Sequence, residues 1–122
     1  MKLQAFIIVA SLASSPNTHA DKLFTPTLWA VAPDKFACNL TNVGDRPRNV
    51  SVRIISNGKV LLDSGKLELA PQHTADQFVD GVKDGAPFYC EFSVQGSRVQ
   101  YRGSAKLFHA PNSSDFVTVA AE

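Results

Sequence analysis

The residues of this 122-residue chain that could do chemistry are few, and two cysteines are the most informative. Cys38 and Cys90 each sit in an alternating apolar segment. Phe36 and Leu40 flank the first at two residues' distance, and Phe88 and Phe92 flank the second. Residues two apart in a strand share a face, so both sulfurs are expected to point into one core from different strands. One disulfide between two sheets is the expected outcome. The loop of about 50 residues that it closes would contribute roughly 4 kcal/mol in the chain-entropy treatment. A zinc site needs histidine or further cysteine at ligand spacing, and a dithiol redox site needs C-x-x-C. The sequence offers neither pattern.

Other candidates are weaker. His73 follows a Pro71-Gln72 turn and His109 ends an apolar run; both read as exposed, with no acid or nucleophilic serine beside them in sequence. The motifs G-x-S-x-G and H-E-x-x-H are absent, so no catalytic residue, cofactor or metal is expected. A small hydrolase would require His73 or His109 to meet an acid or serine in space. Asp80 and Asp84 share a glycine-bearing loop, but Lys83 lies between them and six to eight oxygens are not in sight, so solvated turn residues are expected. Arg98, Gln100, Arg102, Ser104 and Lys106 alternate along one predicted strand. The row is expected to be a solvated outer face, and it is also the best-defined candidate for a polar binding surface. Trp29 joins that candidate set if exposed, although its size predicts burial as a cap on a small core. Gly103, on the opposite phase, marks a bulge or close packing. The sequons at Asn39, Asn49 and Asn112 are compatible with glycosylation in a eukaryotic secretory route.

These residues need a framework. The chain has 12 Lys+Arg against 11 Asp+Glu, a balance unsuited to coating nucleic acid. Its 44% hydrophobic content excludes a disordered chain. Met1-Lys2, the apolar run Leu3–Ala13, the polar stretch Ser14–Asn17 and Thr18-His19-Ala20 form the three-part layout of a secretory leader. The apolar run is about eleven residues, short of the roughly 20 that span a bilayer. Cleavage after Ala20 leaves 102 residues with eleven charges of each sign, and a cut after Ala13 is the main alternative. The mature part, 21–122, is expected to form one domain in the periplasm or outside the cell, with a C-terminal tail from 110 that frays or adds an edge strand.

The mature part alternates with period two and shows almost no helical periodicity. Strands are predicted around Leu28–Ala32, Phe36–Thr41, Val50–Ile54, Val60–Leu62, Lys66–Leu69, Phe88–Val94 and Arg98–Arg102. Turn residues separate them. Asn57-Gly58 is a strong hairpin signal, and Gln95-Gly96-Ser97 reads as a second hairpin joining the last two long strands. Seven or eight short strands predict an all-β antiparallel sandwich.

The core-facing cysteines on the second and penultimate strands, with Asn42-Val43-Gly44-Asp45, Val50-Ser51-Val52, Asn57-Gly58 and Leu69-Ala70-Pro71, resemble the small secreted bacterial immunoglobulin-like (CARDB-like) modules. Antibody-type domains differ: they carry Trp where this chain has Ile54 and Ile55, and a corner Tyr where it has Phe88. The resemblance implies an immunoglobulin-like sandwich that binds a protein or glycan partner without catalysis. The alternative is an envelope protein with no discrete site. Mass spectrometry of the exported protein is expected to find Asp21 as the first residue; retention of residues 1–20 contradicts the leader.

Overall fold

The structure, a computed structural model, describes residues 20–109 and 114–122. Apart from Ala20, the expected leader lies outside them. Ten strands follow in order: β1 (Ala20–Phe24), β2 (Leu28–Ala30), β3 (Asp34–Asn42), β4 (Arg48–Ser56), β5 (Lys59–Asp63), β6 (Leu67–Leu69), β7 (Thr74–Asp80), β8 (Ala86–Gln95), β9 (Tyr101–His109) and β10 (Ser114–Ala120). A 3₁₀ turn, Arg98–Gln100, precedes β9. The count exceeds the seven or eight expected because β1 and β7 carry weak apolar signals and the tail supplies β10. No described helix is long and apolar enough to cross a membrane.

The strands form two antiparallel sheets. Sheet I runs β1-β8-β4-β5, with β2 also on β8 and β6 also on β4; sheet II runs β10-β9-β3-β7. The inward phase of the long strands is large and apolar: Phe36, Cys38 and Leu40 on β3, Val50, Val52 and Ile54 on β4, and Phe88, Cys90, Phe92 and Val94 on β8. All lie at 4% exposure or less, so burial of this face is what drives the sheets together. Cys38 and Cys90 are bonded across the two sheets, with 5.8 Å between their Cα atoms. Phe36 and Phe88 stack beside them at 5.4 Å. Gly103 lies under the Phe92 ring, where a Cβ would approach to 2.9 Å, so the glycine marks close packing.

Asn57 (φ 52°) and Gly58 (φ 77°) make the expected β4–β5 hairpin. Gln95-Gly96-Ser97 does not make one. β8 and β9 belong to different sheets, and the segment crosses between them. A glycine at positive φ (Gly96, 88°) suits either path, so turn chemistry could not separate them.

At the end of the sandwich where this crossing lies, two other connections also change sheet, β3 to β4 and β6 to β7. Asn42, fully buried, ties them together. Its amide Nδ2 donates to the carbonyls of Arg46 and Leu69, both at 2.9 Å, and Oδ1 accepts from Gly44 N–H at 2.9 Å. Its backbone bonds His73 and Gln72, and Val43 N–H next to it donates to the Gln100 carbonyl at 2.9 Å. At the opposite end, Ala32 N–H donates to Val82 and Gly81 N–H to Asp34, both at 2.8 Å. A Cβ at Gly81 would lie 2.9 Å from the Asp34 carbonyl oxygen, so only glycine allows that approach. Between β1 and β2, buried Thr25 substitutes for a strand: its hydroxyl accepts from Cys90 N–H at 2.9 Å.

Tyr101 fixes the start of β9. It is 1% exposed, and its hydroxyl donates to the Gln95 carbonyl at 2.5 Å, binding the far side of the crossover to the near side. Burial pushes this phenol above its ordinary value of 10.0, and the neighbouring Arg48 guanidinium pulls it part of the way back. A raised folded-state pKa means the fold favours the protonated form. The contribution is complete below the unfolded value and is lost as pH rises through the folded one. Urea unfolding is therefore expected to lose stability above about pH 10 more steeply in the parent than in Tyr101→Phe. At neutral pH the variant is expected to be about 0.5–1.5 kcal/mol less stable, because the hydrogen bond across the crossover is lost.

Candidate binding surface

The residues of the predicted basic row do not form one row. Arg98 and Gln100 belong to the 3₁₀ turn of the crossover, and β9 starts at Tyr101. Arg102, Ser104 and Lys106 do share the outer phase of β9, opposite Thr41, Asn39 and Ala37 of β3. The Arg102 guanidinium donates through Nη1 to the Val99 and Tyr101 carbonyls, at 3.2 and 2.8 Å. Gln100 Oε1 faces Gly96 and is buried. Trp29 lies on β2, in the other sheet. The structure thus divides the candidate set among sheet I, sheet II and the crossover.

Lys106 lines a shallow cleft of about 290 Å³ on the outer face of sheet II. Its other walls are Phe78, Phe108, Asn39 and Asp76, over a floor at Ala37. Phe78 and Phe108 meet edge to face at 6.3 Å, and Lys35 lies over the Phe78 ring at 5.5 Å. Asn39 donates to Asp76, and Lys35 pairs with Asp80. Phe78 is 55% exposed, and no sequence signal points to it, because the inward residues of β7 (Ala75, Gln77, Val79) share no apolar pattern. The outer face of sheet I carries a larger depression of about 480 Å³, lined by Asn49, Ser51, Arg53, Asp63, Ser93 and Gln95 among others. Alternating charges cross its strands: Lys22 to Glu91 at 3.3 Å, Glu91 to Arg53 at 3.8 Å, and Arg53 to Asp63 at 3.1 Å.

Trp29 overturns the expectation of burial. It is 60% exposed. The indole lies on Gly85, which has φ 86°, and a Cβ at that position would collide with the ring. Gly85 therefore backs the indole closely along its Nε1 side, while most of the side chain stays exposed. Val31 and Val82, paired beside it, are also exposed. An aromatic ring held in place before any contact loses little conformational freedom on binding.

The histidines lie apart from each other, and one of them, His109, does meet an acid in space, Asp34. His73 Nδ1 is 3.1 Å from the Pro71 carbonyl within its own turn, and His109 Nδ1 is 2.6 Å from Asp34 at the end of the β3–β9 pair. No group of three or more His, Cys, Asp or Glu that could hold a metal occurs among the described residues. Comparison with protein-family models, curated proteins and solved structures returns no match.

The indole reports on its own seat, because Trp29 is the single tryptophan of the chain. Gly85→Ala is expected to shift Trp29 fluorescence and lower its anisotropy. The strained φ is expected to cost about 1–3 kcal/mol of stability. Unchanged emission and anisotropy in a folded variant would show that Gly85 does not hold the ring.

Proposed function

We propose that the chain is an exported, non-catalytic immunoglobulin-like module that works by binding a protein or glycan in the periplasm or outside the cell. The leader layout of Met1–Ala20 supports export. The Cys38–Cys90 bond supports it too, because structural disulfides persist in oxidising compartments. Two antiparallel sheets joined by that bond support the immunoglobulin-like reading, and the β8–β9 crossing is a departure from the usual hairpin there.

The observation that carries binding is the seat of Trp29. A protein that served only as envelope bulk has no use for an indole held 60% exposed on a glycine at positive φ. Tryptophans so placed dominate the energetics of protein contacts and stack on sugar rings.

The test immobilises the mature protein and recovers partners from the native periplasm or medium, with a glycan array in parallel. Trp29→Ala is expected to weaken capture by about 30-fold, the effect of losing about 2 kcal/mol at a hot spot, with the melting temperature unchanged. Recovery of nothing by the parent, or equal recovery by Trp29→Ala, would overturn the reading.

A further inference from the structure

A sandwich exposes the outer edges of its sheets, and an open edge is a template for another strand. Most edges of this molecule are blunted. On sheet I, the β1/β2 edge is broken at Thr25-Pro26-Thr27, and the N–H and C=O of Phe24 are taken by Glu122, both at 2.9 Å. The β5/β6 edge is split into strands of five and three residues, and the register shifts between Ile54 and Ile55. On sheet II, β10 carries a register shift between Asp115 and Val117.

β7 is the exception. All seven of its residues pair with β3 in unbroken register, from Thr74↔Thr41 to Asp80↔Lys35. It contains no proline and no lysine, and no further strand lies on its outer side among the described residues. The open edge is about 23 Å long.

We propose that this edge pairs with β7 of a second copy of the chain, antiparallel, across a two-fold axis through Gln77. Charge and phase select that register. Thr74, Asp76, Phe78 and Asp80 lie on the outer phase, and Ala75, Gln77 and Val79 on the inner. Matching outer to outer excludes every one-residue slip. Centring on Gln77 overlaps all seven residues and sets Thr74 opposite Asp80 and Asp76 opposite Phe78, so no acid faces an acid. Moving the axis to Asp76 sets that acid against its own copy. Moving it to Phe78 sets Asp76 against Asp80. Like charges directly opposite each other are destabilising, so both shifted registers are disfavoured. Because the contact is isologous and consumes the one regular edge, assembly closes at two copies and not at a fibre. The product is an eight-stranded sheet with both Phe78 clefts on one face. A contact this small makes a concentration-dependent dimer rather than an obligate one.

The inference does not rest on the reading of Trp29. Its test is sedimentation of the full mature chain from about 10 μM to about 1 mM, a range suited to a weak contact. A monomer–dimer equilibrium is expected. Thr74→Lys places a cation opposite Asp80 of the partner subunit and is expected to tighten the dimer about fivefold. Thr74→Asp is expected to weaken it about fivefold. Both variants lose the same Thr41 hydroxyl contact, so opposite shifts cannot come from folding. Under oxidation Gln77→Cys is expected to give a covalent dimer, whereas Phe78→Cys is not. A monomer at all concentrations, shifts of the same sign at position 74, or cross-linking of Phe78→Cys as fast as Gln77→Cys would overturn the proposal.

Discussion

The chain passes between its two sheets five times before β10, and every passage removes backbone groups from a ladder that would have satisfied them. Buried amides without partners cost as much as lost hydrogen bonds, so the crossings must be supplied from elsewhere. Asn42 meets that requirement at one end. Its carboxamide fills three of the four positions it can use, two on the β3–β4 connection and one on the end of β6. Val43 and Tyr101 extend the same cluster to the β8–β9 crossing. The disulfide holds the centre of the sandwich, and the polar cluster at Asn42 ties together three of the crossings at one end.

Much of the core was legible in the sequence, and the reason is side-chain size. β3, β4 and β8 carry Phe, Leu, Ile, Val or Cys at their central inward positions, so their period of two stands out. The cysteine pairing followed from the same phase. β7 was hidden because its inward residues are Ala75, Gln77 and Val79, a small, a polar and a branched side chain with no common signal. β1 was hidden because Leu23 alone among its residues is buried. Sheet membership of β9 was not legible, since Gly96 fits a hairpin and a crossing alike.

The candidate surface was legible in composition but not in arrangement. A strand pattern assigns phase, and it does not say where a strand begins. The 3₁₀ turn at Arg98–Gln100 removes two members of the row for that reason. Trp29 failed in a different way. Size argues for burial, and the residue the exposed indole lies against, Gly85, is far away in the chain. On the outer face of sheet I, cations and carboxylates alternate along Lys22, Glu91, Arg53 and Asp63.

The order of the strands also sets a timetable. Of the pairings, β4 with β5 and β9 with β10 join neighbours in sequence, while β1 waits for β8 and β3 for β7 and β9. Distant pairing places folding in the slower range for small domains, on the order of milliseconds to seconds. A chain emerging from its N-terminal end has nothing with which β1 or β3 can complete a sheet. β1, β2 and β3 have no partners until the second half arrives, whereas β4 meets β5 through the Asn57–Gly58 hairpin and β6 soon after it.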